Sequence, residues 1–184
     1  MVRAADERVI ESCRQWVETV IIALNFCPFA KPVLNAGRVD YKVINERGVE
    51  QALMALSDQL SYLANNDHVE TSLLIYPQGL ESFDDYLDFA AIADDLLLEE
   101  GYEGVFQIAT FHPDYCFEGQ QQDDASNYTN RSPYPILHIL REASIEAALE
   151  SVSSPDKIPS RNIELARAKG LEGMQALLTA CQST

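Results

Sequence analysis

The stretch TSLLIYP, residues 71–77, is apolar almost throughout, stops at Pro77 and is followed by Gly79. It is too short for an ordinary helix, and it lacks the apolar–polar alternation of a strand with one wet face. A run of this kind reads as a strand buried on both sides, which is the hallmark of a sheet covered by helices. Two further segments read as strands. VDYKVI (39–44) is rich in β-branched residues, and GVFQIATF (104–111) is again mostly apolar.

Working outward from these strands, the intervening segments carry helical spacing. Val9, Cys13, Trp16, Val17, Val20, Ile21 and Leu24 recur every three or four residues, predicting an amphipathic helix over roughly 6–25. Asn45 offers an N-cap for a helix over about 46–65, striped by Val49, Leu53, Leu56, Leu60 and Leu63. SFDD (82–85) has the form of a capping box opening a helix to about Glu100. Ser132-Pro133 reads as an N-cap with proline at the first helical position, predicting a helix through Leu149. A last helix is expected over about 161–181.

The resulting order is α-β-α-β-α-β-α-α. It predicts a single α/β domain over residues 1–184: a small, mainly parallel sheet of three to four strands with flanking helices, on both faces or all on one. A fourth strand, where there is one, is expected in DYCFEG (114–119).

Composition narrows the function. The chain has 184 residues, 47% of them hydrophobic and 23% charged, as in a folded globular protein. No apolar run approaches the ~20 residues a membrane span needs, and the first residues lack a signal-peptide pattern. The reading is a cytoplasmic protein whose four cysteines, with no C-x-x-C pair, are free thiols. The formal net charge is −16, and no Lys or Arg occurs between Arg47 and Arg131. A surface of that sign repels a phosphate backbone, which argues against DNA or RNA as a partner. An acidic, solvated face is the ordinary explanation of the stretch; a basic protein partner is the sharper one.

Candidate chemistry gathers around TFHPDYCFEG (110–119), because in open α/β sheets ligands bind outside the carboxyl ends of the strands. His112 and Cys116 are the first pair. As an H-x-x-x-C they could supply two metal ligands, with Cys27 or His138 completing the set from afar, but no second close pair supports it. Cys27 in NFCPFAKP admits two readings. At the carboxyl end of the first helix its thiolate is disfavoured. As the N-cap of a short helix over PFAKPV, near Lys31, it is favoured. CPFA is similar to the Cys-Pro-aromatic-Cys of glutaredoxin-like redox sites, with Ala30 in place of the second cysteine. His138 and Arg141 lie one turn apart on the predicted helix and so share a face. Asn130, Arg131 and Ser132 sit where that helix begins, a place suited to an anion. Cys13 falls in an apolar stripe, Cys181 at a terminus and His68 in a loop. The sequence contains no phosphate-binding glycine loop, dinucleotide fingerprint, nucleophile elbow or HExxH.

NFCPFAKP, FHPDYCFEG and DDASNYTNRSPYPILHILRE, in that order after a Trp-containing helix, resemble an uncharacterised bacterial family catalogued as domain of unknown function 1415. The resemblance runs over nearly the whole chain and implies no mechanism or cofactor.

Three functions follow as expectations. The first is an enzyme acting on a small anionic or polar metabolite through Cys27, His112, Cys116 and His138, with Asn130, Arg131, Ser132 and Arg141 binding substrate. The second is a metal-binding protein using His112 and Cys116. The third is a non-catalytic interaction module with an acidic face.

Overall fold

The computed structural model describes residues 4–182; residues 1–3 and 183–184 of the expected domain lie outside the described residues. Helix α1 (Ala4–Trp16) runs on as a π-helical segment, Val17–Ile22. The order then is α2 (Ala30–Asn35), β1 (Val39–Val43), α3 (Val49–Ala64), β2 (Thr71–Ile75) and α4 (Phe83–Glu99). It ends with β3 (Phe106–Phe111), β4 (Ile136–Arg141), α5 (Glu142–Glu150) and α6 (Ile158–Gln182), kinked at Gly170.

The four strands form one sheet in the order β1-β2-β4-β3. Only β1 and β2 pair in parallel; β4 pairs antiparallel with both β2 and β3. The expected mainly parallel sheet is therefore mixed, and the reason is local. β1, β2 and β3 do point the same way, each reached through a helix, but β4 is wedged between β2 and β3 in the opposite sense. The fourth strand is 136–141, not 114–119, and the helix expected from Pro133 to Leu149 is a strand followed directly by α5. In PILHILR the apolar positions 136, 137, 139 and 140 satisfy a helical stripe and a buried strand equally well. Pro133 and Pro135 withhold two backbone donors, and the slot between β2 and β3 takes the apolar run as a strand.

All five residues of β2 are buried, as a strand covered on both faces must be. Successive residues alternate between two cores. Leu74, Leu137, Ile139 and Phe106 meet Leu56, Leu60 and Leu63 of α3 and Tyr86, Phe89 and Leu97 of α4. Leu73, Ile75 and Ile136 meet Cys13, Trp16 and Val20 of the first helix and Met174 and Cys181 of α6. Each fully buried aliphatic side chain contributes about 1.5–3 kcal/mol, so the two faces together commit the sheet to its central position.

Because β4 is antiparallel, Ile136 at its start lies beside Ile75 and Phe111 at the ends of β2 and β3. Loops 44–48, 76–82 and 112–135 therefore share one edge of the sheet. Gly79 adopts φ +92°, and a Cβ there would come within 3.0 Å of Arg47 Cα, so only glycine lets the first two loops close on each other. Gln78 fastens them further, donating to the Asn45 carbonyl and accepting from Arg47 Nε.

Candidate functional site

His112 ends the β3 hairpin edge with its ring 1% exposed, against Phe83 and Tyr86 at ring distances of 5.2 and 5.0 Å. The Asp114 amide N–H donates to Nδ1 at 3.0 Å, which places the proton on Nε2, and that N–H donates to the Leu80 carbonyl at 3.0 Å. Burial lowers its pKa, with the Leu80 bond and Asp114 opposing. The imidazole is a neutral strap between two loops. Acting as base or metal ligand would require one of these bonds to break.

Cys116 is half-buried, its Sγ 3.5 Å from the Gln120 carbonyl and 3.8 Å from Asn127 Nδ2. Asn127 is completely buried and organises the loop: Oδ1 accepts the Phe117 N–H at 3.0 Å and Nδ2 donates to the Gln121 carbonyl at 2.8 Å. Arg131 does the same from outside. Its Nε donates to the Tyr115 carbonyl at 3.0 Å, a terminal nitrogen to the Gln122 carbonyl at 2.8 Å, and the guanidinium lies 4.7 Å from the Tyr128 ring centroid. Neither Asp123 nor Asp124 pairs with it; Asp124 pairs with Arg167 at 2.8 Å, and that guanidinium and the Ser126 amide pull its carboxyl pKa far down. Asn130 Nδ2 donates to the Thr110 carbonyl, and its own carbonyl accepts the His112 N–H. Ser132, also fully buried, donates to the Tyr134 carbonyl at 2.5 Å and caps no helix.

The structure thus brings His112, Cys116, Asn130 and Arg131 into one loop, where they hold it shut. His138 and Arg141 do not join them, nor do they share a face as predicted. Three residues apart on a strand, they project to opposite sides of the sheet. Arg141 closes the α3 end of the molecule, donating to the carbonyls of Leu63, Asn66 and Val69 with its guanidinium 5.4 Å from the Phe106 ring centroid. His138 lies on the face under α1 and α6, its Nε2 2.7 Å from Thr71 Oγ1. The Thr71 hydroxyl gives its one proton to the Ile139 carbonyl at 2.6 Å, so it accepts from His138, and the proton sits on Nε2. Burial lowers the His138 pKa to about 4.

Cys27 follows the π segment in a turn held against the start of α6. Asn162 Nδ2 donates to the Phe26 carbonyl at 2.7 Å, and Arg161 donates to the carbonyl of Asn25, which adopts φ 53°. The short helix that follows begins at Ala30 with Phe29 as its cap, so Cys27 is not the N-cap of a helix over PFAKPV. Burial raises the Cys27 pKa, partly offset by the Phe29 and Ala30 amides. Cys27 lines an open groove of about 480 Å3 with Ile22, Asn25, Pro28, Lys31, Pro32 and Asn35. Lys31 is exposed there, and no carboxylate shares the lining.

Cys13 and Cys181 are buried and free; burial and the neighbouring Cys181 raise the Cys13 pKa strongly. His68 is exposed in a loop. Among the described residues no three His, Cys, Asp or Glu side chains converge as a metal-binding group. No described helix is long and apolar enough to cross a membrane.

A family model described as "Protein of unknown function (DUF1415)" matches residues 8–176. The chain belongs to this family. The match takes in the turn at Cys27, the loop from His112 to Arg131 and β4, so every candidate residue named above lies within the family's span. No curated protein and no solved structure matches.

Sequence reasoning missed Asn127, Thr71, Asn25 and Asn35. The signal for Asn127 was available, since asparagine inside a long polar loop commonly ties the loop to its own backbone.

Proposed function

We propose that the protein binds a small anionic or polar molecule in the groove beside Cys27. The observation that carries this reading is the lining: one free cation, Lys31, two amides, Asn25 and Asn35, a thiol and apolar walls, without a carboxylate, on a chain with 29 acids and 13 bases. Lys31 supplies the counter-charge, the amides supply orientation, and Ile22, Pro28 and Pro32 favour a ligand with an apolar body behind one anionic group. With its pKa raised, Cys27 enters as a neutral thiol in contact with the ligand. Nucleophilic attack would require the ligand itself to take the thiol proton, because no base is among the lining residues.

The test is a thermal-shift screen of small carboxylates and phosphates, repeated on Lys31→Glu, with alkylation of Cys27 as a second readout. Binding at this groove raises Tm in the parent, fails to do so in the variant, and slows Cys27 labelling. A ligand whose shift survives Lys31→Glu, or a panel that leaves Cys27 labelling unchanged, defeats the proposal.

A further inference from the structure

We propose that the outward face of α3 and α4 docks a basic amphipathic helix of a partner protein. Of the large apolar side chains that remain exposed among the described residues, Val49, Met54 and Tyr62 lie on α3, Leu87, Ile92 and Leu98 on α4, and Val105 just beyond it. A soluble helix needs its apolar stripe only where it meets the core, and α4 already has one in Tyr86, Phe89, Ala93 and Leu97. Leu87, Ala91 and Leu98 form another row at i, i+4 and i+11, on a side that stays exposed.

Beside that row runs a second, at the same spacing. Asp84, Asp88, Asp95 and Glu99 occupy i, i+4, i+11 and i+15 along the outermost ridge of α4, with Asp58 outward on α3. No Lys or Arg occurs from Gly48 to Asn130 to neutralise them. Next to the row, partial burial raises the Asp94 pKa, and the charge of Asp95 adds to it. Helix α6 is built differently: it interleaves Glu164 and Glu172 with Arg161, Arg167 and Lys169, and Arg161 and Arg167 are engaged with Asn25 and Asp124 of this chain.

Charge complementarity selects the occupant. Nucleic acid and anionic lipid are repelled, and a second copy brings the same −16. A helix with Lys or Arg at i, i+4 spacing and leucine-sized residues on the adjoining row matches both rows of α4. The acidic row from Asp84 to Glu99 extends roughly 22 Å at 1.5 Å per residue, so the matching segment has about four turns.

The probe is a fluorescent sixteen-residue Leu/Lys amphipathic helix, read by anisotropy at low and at moderate salt. Three variants of the full chain are compared. Asp88→Lys/Asp95→Lys/Glu99→Lys reverses the ridge. Asp156→Lys/Glu164→Lys/Glu172→Lys makes the same change in net charge elsewhere. Leu87→Ser/Leu98→Ser keeps every charge. Melting curves confirm that each is folded. The expected result is about a tenfold or greater loss of affinity for the ridge reversal and a severalfold loss for the leucine pair that persists at moderate salt. The control reversal leaves affinity near the parent. The proposal is overturned if the control weakens binding as much as the ridge reversal, if the leucine pair changes nothing, or if the parent does not bind the peptide.

Discussion

The loop from His112 to Arg131 and the turn from Asn25 to Asn35 contain similar residues and do opposite things with them. In the loop, the asparagines, the arginine and both histidine nitrogens are spent on the chain's own backbone: Phe117, Gln121, Tyr115, Gln122, Thr110, Asp114 and Leu80 are the partners. In the turn, Cys27, Lys31 and two asparagines face an open groove. The difference teaches that rare polar residues in a loop identify a ligand site only where their hydrogen-bonding capacity is left over. A long loop without secondary structure must satisfy its buried backbone somehow, and side chains do it.

The comparison can be broken most directly at Asn127. Asn127→Ala empties a fully buried side-chain position, leaves the Phe117 N–H without its partner and takes from the Gln121 carbonyl one of its two donors, and we expect a loss of about 3 kcal/mol in urea unfolding. Lys31→Ala, on the other side of the comparison, should stay within about 0.5 kcal/mol of the parent while abolishing any ligand-induced shift. Equal losses at the two positions would erase the distinction.

His138 gives the next effect. Its pKa falls from the ordinary 6.5 to about 4 on folding. Between those values the unfolded chain binds a proton that the folded chain refuses, so lowering the pH favours unfolding. The stabilisation is whole above pH 6.5, declines as pH falls and is gone below about 4, for a total of roughly 3 kcal/mol. Urea titrations at several pH values should show this slope in the parent and a shallower one in His138→Gln, where only the smaller part due to His112 remains. Identical slopes would mean that His138 titrates normally.

Arg131→Met sharpens the comparison more gently. It removes three hydrogen bonds and a ring contact at a partly exposed site, and about 1.5 kcal/mol is expected, without any effect on ligand response. Smallest is a rate. At pH 7.5 iodoacetamide should alkylate Cys27 more slowly than free cysteine, with Cys13 and Cys181 unreactive until the chain is denatured. Labelling of Cys27 faster than free cysteine would mean a thiolate that the geometry does not provide.

The three-strand α/β frame was legible because periodicity near β2, α3 and α4 admitted one reading each. β4 was not, since Ile136, Leu137, Ile139 and Leu140 fit either period and the choice depends on a slot that only the assembled sheet offers. The misreading carried His138 and Arg141 with it, from a shared helix face to opposite faces of a strand. The groove was half legible. Cys27 and Lys31 stood out by type, but Asn25 and Asn35 join them only through the turn that packs on Asn162.

The wedge position of β4 also bears on how the chain is made. Until residues 136–141 leave the ribosome, β2 and β3 stand one strand's width apart on either side of an empty lane, each with a row of unpaired amides and carbonyls. From the completion of β3 at Phe111 until β4 arrives, the nascent chain therefore carries two adhesive edges, and an interruption in that interval leaves a fragment primed to recruit a neighbour's strand in place of its own.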